Sequence, residues 1–252
     1  MFRLFVTDID GTIFGPRQPI SRETKKAVAL LRSHGFGVTA ATGRNQWEAQ
    51  RLVTDLGIEL PVILANGAQI FDFAAGRLLY GKSFCIQTLT EFLGGIDAKG
   101  QVQIRWLDGE QWQECSLEDF AQAGGSGEVQ RVLLVDVEHT LRLADSPACP
   151  YWLFQEGDLV ELTPKDVNKG EGLLVLCSLL GIATEQVVAL GNDLNDVELI
   201  QLAGVGLAVA GGHPALLQAA DGIVAALEDH PVQTIAEWMM GSTPWERIVM
   251  KK

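Results

Sequence analysis

Phe2-Arg3-Leu4-Phe5-Val6-Thr7-Asp8-Ile9-Asp10-Gly11-Thr12 is the stretch whose reading decides the fold. The apolar run Leu4, Phe5, Val6 reads as a buried strand, and it runs into two acids spaced i and i+2. In an extended chain that spacing puts both carboxylates on one side. Gly11 then lets the backbone turn without steric cost. Two carboxylates held together past a strand end repel each other unless a cation lies between them. The pattern asks for a hard divalent ion, and Mg2+ takes one or two carboxylates together with phosphate oxygens. A plain turn, with Asp as a polar punctuator, accounts for one of the two acids and not for both.

Downstream of this strand, Gly15, Pro16 and Pro19 mark a loop and Ser21 caps a helix. Ala27, Leu30, Leu31 and His34 fall on one helical face, and Gly35 stops the helix. Phe36 to Ala41 is a second strand, followed by the tight loop Thr42-Gly43-Arg44. Asn45 caps the next helix with Glu48 in a capping-box position. Leu52, Val53 and Leu56 point inward and Gly57 closes it. Pro61 to Ala65 is a third strand, ending at the turn Asn66-Gly67. The alternation predicts an α/β fold with a parallel sheet and helices on both faces. Ligands in such folds lie beyond the carboxyl ends of the strands, where Asp8, Thr42 and Asn66 stand.

From about Leu79 the texture changes. A helix is expected from Ile86 to Ala98. Val102 to Leu107 and Gln111 to Glu114 flank the hairpin signal Asp108-Gly109. Ser116 caps a short helix, Val129 to Val137 is a strand, and a short helical segment follows. Tyr151 to Gln155 and Leu159 to Thr163 flank a second hairpin at Glu156-Gly157-Asp158. Hairpins imply antiparallel pairing, so residues 80–163 read as an inserted α+β domain. At Pro164 the first pattern resumes. Asn168 and Glu171 pair around the start of a helix to Leu180, and Val187 to Leu190 is a strand. Gly191-Asn192-Asp193 leads into a helix whose inward face carries Val197, Ile200 and Leu202. Val205 to Val209 and Gly222 to Ala225 are strands, Pro214 starts a helix between them, and a last helix spans Val232 to Met240. The end of the chain, around Trp245, reads as a loose tail. The core is therefore residues 1–79 and 164–252.

Composition narrows the function. With 252 residues, 47% of them hydrophobic, the chain can bury a large core. The net charge is −13 and no basic stripe is visible, which excludes a nucleic-acid backbone as partner. An acidic protein that handles phosphate must gather positive charge locally. Cys85, Cys115, Cys149 and Cys177 are scattered, form no C-x-x-C pair, and read as reduced thiols of a cytoplasmic protein. The chain begins in a strand with no signal-peptide pattern. Its most apolar run, Leu173 to Ala183, is too short to span a bilayer, so no membrane association is expected.

Three further loops carry chemistry. Thr42 offers a hydroxyl and loop amides ahead of a capped helix, which is a phosphate site. Arg44 reaches either phosphate or a surface partner. Lys169 stands at a helix N-terminus, where the macrodipole disfavours a cation unless an anion lies beside it. Asp193 caps the following helix and Asp196 falls in its first turn.

Asp8-Ile9-Asp10-Gly11-Thr12 resembles the first motif of the haloacid dehalogenase-like (HAD) phosphatases. Thr42-Gly43-Arg44 resembles the second motif and Lys169-Gly170 the third. Gly191-Asn192-Asp193-Leu194-Asn195-Asp196 resembles the fourth, G-D-x-x-N-D. Asn195 and Asp196 match that motif; Asn192 stands where the family usually has a metal-binding Asp. The mixed helix-and-hairpin insert, Asn66-Gly67 and Thr163-Pro164 are similar to the type IIB, or Cof-type, subfamily, while Ala210-Gly211-Gly212 departs from a common Gly-Asn-Ala stretch. The resemblance implies a Rossmann-like parallel-sheet core with an inserted α+β cap, and Mg2+-dependent hydrolysis of a small phosphorylated metabolite, by default a sugar phosphate. It implies that Asp8 attacks phosphorus and becomes an aspartyl phosphate, and that Asp10 serves as general acid and then base. Thr42 and Lys169 complete the catalytic set, and Gly43, Arg44, Asn66, Gly67 and Asn195 hold the substrate. Mg2+ is assigned to Asp8, Asp10 through its main-chain carbonyl, Asn192 and Asp196, with Asp193 the alternative to Asn192. Competing readings are a catalytically weak binding or regulatory protein, a phospho-acceptor signalling domain and a phosphomutase. The assembly expected is a monomer or small homo-oligomer.

Overall fold

The computed structural model describes residues 2–15, 19–95, 103–108, 111–123, 129–135, 149–156, 159–241 and 248–250. The chain divides into two compact units, Met1–Leu79 with Asn168–Lys252, and Tyr80–Val167.

The first unit opens with β1 (Leu4–Thr7), every residue of it buried, and α1 (Arg22–Ser33), whose Ser21 cap accepts from the Thr24 N–H at 3.0 Å. β2 (Gly37–Ala40) leads to α2 (Gln46–Leu56), which carries the expected Asn45–Glu48 capping box and closes on a left-handed Gly57. β3 (Val62–Leu64), β4 (Gln69–Asp72) and β5 (Arg77–Gly81) follow. In the second unit come α3 (Ile86–Gly94), β6 (Gln103–Asp108), β7 (Gln111–Ser116), α4 (Leu117–Ala123), β8 (Val129–Val135), β9 (Tyr151–Glu156) and β10 (Leu159–Pro164). The chain returns to the first unit with α5 (Lys169–Leu180), β11 (Val187–Gly191), α6 (Val197–Leu202), β12 (Val205–Val209), α7 (Pro214–Ala219), β13 (Gly222–Val224), α8 (Pro231–Met239) and β14 (Val249–Met250).

The sheet of the first unit has the order β14-β13-β12-β11-β1-β2. Five of these strands run parallel, and β14 pairs antiparallel on the β13 edge. β1 lies between β2 and β11, with Leu4 opposite both Gly37 and Val187. The chain leaves β1 toward β2 on one side and later returns beside it as β11 on the other. Strand order therefore reverses at β1, and the crevice beyond its carboxyl end is the ligand position of an open α/β sheet. Asp8 is the first residue past that end, and its N–H continues the ladder onto the Leu190 carbonyl at 2.8 Å. The core on the sheet is apolar, with Phe5, Val38, Leu52, Leu190 and Leu207 among its buried members.

Four expectations are corrected here. β3 is not a full member of the parallel ladder. It meets β2 through the single parallel bridge Ala41–Ile63 and pairs antiparallel with β4. Strands β4 and β5 were not anticipated: they are short, and β5 lacks a buried face to impose alternation. The buried face of α1 is Thr24, Ala27, Val28 and Leu31, whereas Leu30 is 40% exposed and His34 ends the helix in solvent. Thr24 rather than His34 completes the stripe. In α6 the inward residues are Leu199 and Ile200, and Leu202 is 39% exposed, because the 3-10 turn Leu194–Asp196 ahead of it sets the phase of the helix. Toward the end of the chain Ile248 is buried and Val249 pairs with Ile223, while Trp245, around which a loose tail is expected, lies outside the described residues.

The second unit is a five-stranded antiparallel sheet, β7-β6-β8-β10-β9. Leu89 and Leu93 of α3 and Leu117 and Phe120 of α4 share one buried cluster with Ile104, Leu134 and Val160 of the sheet. Both expected hairpins form, with Asp108 opposite Gln111 and Glu156 opposite Leu159. The turns at 109–110 and 157–158, the end of the helix expected to reach Ala98, and the helical segment expected after Val137 lie outside the described residues. Among the described residues no helix is long and apolar enough to cross a membrane.

Candidate active site

The site is assembled from four loops at the carboxyl ends of β1, β2, β3 and β11, together with the start of α5. Asp8 is 4% exposed. Its Oδ1 accepts from Lys169 Nζ at 2.6 Å and its Oδ2 from Thr12 Oγ1 at 2.9 Å. The same Thr12 hydroxyl lies 3.0 Å from Asn192 Oδ1, so the oxygens of Asp8 and Asn192 converge on one point. Gly11 makes this possible in two ways. Its φ is +79°, and a Cβ there would fall 2.2 Å from Asn192 Nδ2.

Lys169 is the first residue of α5, behind an Asn168 cap that accepts from the Glu171 N–H at 2.9 Å. Its side chain is fully buried, and Nζ donates to both Asp8 and Asp196, each at 2.6 Å. The anions that reconcile a lysine with a helix N-terminus are therefore built into the protein. Burial pushes Asp8 up from 3.8 to about 6; the Lys169 ammonium opposes this only in part, and the Asp196 carboxylate adds to it. Burial alone would lower the Lys169 pKa, but the carboxylates of Asp8 and Asp196 outweigh it and raise the value.

Asp196 departs from its expected place among metal ligands. Its Oδ1 faces Lys169, and its Oδ2 accepts from the N–H groups of Asn192 at 2.9 Å and Asp193 at 3.1 Å. It ties the 191–196 turn to the lysine, and Gly191 lets it in: a Cβ at 191 would lie 2.5 Å from the Asp196 Cβ. Asp193 keeps the capping role, accepting from the Leu194 N–H at 2.7 Å.

Asp10 points elsewhere. Its two oxygens accept from Arg44 Nε at 2.8 Å and Nη2 at 2.7 Å, a bidentate clamp, while the guanidinium stacks 5.5 Å from the Phe14 ring centroid. Each acid of the opening motif thus has its own side-chain cation, Lys169 for Asp8 and Arg44 for Asp10. Arg44 thus pairs with Asp10 and also borders the cavity. Thr42 is buried, its Oγ1 accepting from the Arg44 N–H at 3.2 Å, and it sits beneath the loop rather than on the cavity wall.

A cavity of about 230 Å3 opens above these groups, lined by Asp8, Asp10, Gly43, Arg44, Glu48, Asn192, Asp193 and Asn195. Glu48 is the residue that sequence reasoning assigned only to a helix cap. It does cap, accepting from the Asn45 N–H at 3.2 Å, and it also borders the cavity. Its place two residues into a helix that begins at a phosphate-type loop was the available signal. Asn66 and Gly67 do not line the cavity; Asn66 Oδ1 accepts from Asn195 Nδ2 at 2.9 Å.

Among the described residues no three His, Cys, Asp or Glu side chains gather as a metal site. The donors that do converge, the Asp8 carboxylate and the Asn192 amide oxygen, are hard oxygens with one formal charge between them. They suit a magnesium-like ion that keeps several waters, and do not suit zinc or another ion preferring nitrogen or sulfur.

A buried carboxylate held on an ammonium thus lies at the switch point of a parallel sheet. The chain belongs to the haloacid dehalogenase-like hydrolase family, whose sequence pattern matches residues 5–116 and 142–235. It is 27% identical to an HMP-PP phosphatase of Cronobacter sakazakii, over 86% of this chain and 87% of that protein. It is 28% identical to a phosphoglycolate phosphatase of Methanopyrus kandleri, over 93% and 95%. Among solved structures it shares its fold with a sugar phosphatase of HAD subclass IIB, at 19% identity and a TM-score of 0.60, covering 96% of this chain and all of the other. The family resemblance carried by the four motifs is borne out.

Proposed function

We propose that this protein is a phosphatase that hydrolyses a small phosphorylated metabolite by passing the phosphoryl group through Asp8. The observation that carries this reading is the Asp8 carboxylate, buried on the floor of the cavity and held by Lys169 at 2.6 Å and Thr12 at 2.9 Å. That arrangement fixes an oxygen nucleophile in one orientation and supplies positive charge beside it. In the first step an Asp8 oxygen bonds to phosphorus while the bond to the leaving oxygen breaks, and Asp10 gives that oxygen its proton. In the second step water attacks phosphorus, Asp10 takes the water proton, and the bond to Asp8 breaks. Arg44 holds the Asp10 carboxyl group at the cavity edge, one Asp10 oxygen leaving the guanidinium to carry the proton while the other keeps its bond, and Lys169 offsets the charge that Asp8 and the phosphoryl group bring together. Gly43 and Asn195, on the cavity wall, contact the phosphoryl group. Mg2+ would be held by Asp8, Asn192 and the main-chain carbonyl of Asp10, and when bound it neutralises charge on the phosphoryl oxygens.

Residues 80–163 act in this reading as a type IIB cap that selects the leaving group, with 1–79 and 164–252 as the catalytic core. The relatives named for phosphoglycolate and the structure named for sugar phosphate favour a small organophosphate, with a sugar phosphate first. The cavity, at about 230 Å3, suits a phosphoryl group with a small body attached.

One observation favours a second reading. With Asn192 in place of an acid and Asp196 turned to Lys169, the ion would meet a single carboxylate, as in a protein that binds phosphate but turns over poorly. A phosphate-release screen over phosphorylated metabolites with and without Mg2+ separates the two. Mg2+-dependent release from at least one small phosphomonoester supports the phosphatase. Binding with no release from any substrate supports the alternative.

A further inference from the structure

The turn after β3 is the most strained segment beside the site. Ala65 and Asn66 have φ of +47° and +55°, and Gly67 follows at +102°. Two successive residues with side chains in the left-handed region persist only where the surroundings over-determine them. The demand comes from topology. β3 must reverse at once to pair with β4, Leu64 standing opposite Gln69, which leaves only residues 65–68 for the reversal.

Each of the three surroundings that hold the turn is a part of the active site. The Ala65 and Asn66 N–H groups donate to the carbonyls of Arg44 at 2.9 Å and Thr42 at 3.0 Å, so the turn sets the height of the 42–44 loop. The Asn66 side chain accepts from Asn195 Nδ2 at 2.9 Å, which fixes the cavity-lining amide next to Asp196. The third contact is backbone to backbone: a Cβ on Gly67 would fall 2.1 Å from the carbonyl oxygen of Asn168, the residue before Lys169. A Cβ on Gly172, one turn along α5, would in turn lie 2.9 Å from the Gly67 Cα.

We propose that the left-handed turn Ala65–Gly67 is the positioning element of the site, registering the Arg44 loop, Asn195 and the Lys169 helix start against one another. It rests on the phosphatase reading for its kinetic consequence and on geometry alone for its structural one. Asn66 and Gly67 are positioning residues and do not touch the substrate. Asparagine suits position 66 on two counts, since it tolerates the left-handed region and offers an acceptor to Asn195. Glycine suits position 67 because any side chain pushes on the Asn168 carbonyl and thereby on Lys169.

The test uses Asn66→Gly, Asn66→Asp and Gly67→Ala in the full-length protein. Two readouts apply: steady-state hydrolysis of p-nitrophenyl phosphate with Mg2+, and backbone hydrogen exchange by mass spectrometry without substrate. Asn66→Gly keeps the backbone conformation and loses only the tie to Asn195. It is expected to exchange faster across 192–196 and to lose about tenfold in kcat with KM little changed, the worth of about one hydrogen bond from a misplaced Asn195. Asn66→Asp keeps the acceptor and should restore both values. Gly67→Ala should raise exchange across 168–172 and lower kcat. Wild-type exchange across 192–196 in Asn66→Gly overturns the proposal, as does an Asn66→Asp protein no better than Asn66→Gly in both readouts. A wild-type protein without hydrolysis contradicts the phosphatase reading, while the exchange data still decide the role of the turn.

Discussion

Replacing Asp196 by Asn gives the sharpest test of how this site is held. The substitution keeps the shape and removes one charge. In the wild type, Oδ1 receives the Lys169 ammonium at 2.6 Å while Oδ2 receives two backbone N–H groups at 2.9 and 3.1 Å, and the side chain has no exposure. An amide has one acceptor oxygen. Whichever way it turns, its NH2 faces either the ammonium or the two amides, donor against donor. A buried partner left unsatisfied costs about 1–3 kcal/mol, and breaking a buried ion pair about 3–5 kcal/mol. Lys169 retains Asp8, which places the loss at the lower end of the second range, about 3 kcal/mol. With a urea slope of about 2 kcal/mol per M, the midpoint should fall by about 1.5 M. The assay is urea unfolding followed by circular dichroism, in EDTA and again with Mg2+. A structural role predicts the full loss in EDTA. If Asp196 is instead a metal ligand, its removal in EDTA relieves repulsion with Asp8, and the midpoint stays or rises. An unchanged midpoint in EDTA would mean that Asp196 does not hold the 191–196 turn to Lys169.

Further predictions follow from the same contacts. Asp8, raised by burial to about 6 in the metal-free protein, is protonated below that pH, so protons compete with Mg2+ for it and the Mg2+ concentration for half-maximal rate should rise as pH drops through 6. Because its folded value lies above its unfolded one, its contribution to stability is present below pH 4 and is lost as pH rises through about 6. Metal-free wild type should therefore lose up to about 3 kcal/mol relative to Asp8→Asn across that window, measured by urea unfolding at each pH. Arg44→Met frees the Asp10 carboxylate and should cost about a hundredfold with alkyl phosphates, whose leaving oxygen needs a proton, and far less with p-nitrophenyl phosphate. Equal losses on both substrates would give Arg44 a phosphate-binding role instead. Asn192→Asp should lower the Mg2+ concentration for half-maximal rate, and Asp193→Asn should leave it unchanged, as rate titrations against Mg2+ will show.

Much of this architecture was legible where local rules decide it. The run Leu4-Phe5-Val6 into Asp8, the capping box of Asn45 and Glu48, and the Gly57 stop each follow from chemistry within a few residues. The α1 face was misread because a buried Thr24 took the place that a Leu–His stripe claimed, a packing choice settled by tertiary neighbours. β4 and β5 escaped because short strands carry little periodicity. The site was readable as a set of loops, and less so as a set of contacts. A motif places Asp196 near Asn192 but does not say which way the carboxylate turns. That depends on Lys169, 27 positions earlier in the chain, arriving from another loop. Asn66 and Gly67 had the same fate: their residue types pointed to a turn beside the site, and only the distances to Asn195 and Asn168 show what the turn holds.

Phosphoryl transfer through Asp8 leaves a covalent mark that can be read directly. Borohydride reduces an acyl phosphate to an alcohol, so quenching the enzyme with it during turnover of p-nitrophenyl phosphate and Mg2+ converts a phosphorylated aspartate into homoserine. Peptide mass spectrometry then reads position 8 directly. Homoserine is expected at position 8 during turnover, and aspartate there without substrate. Continuing hydrolysis with unmodified Asp8, or with the label at another acid, would contradict it.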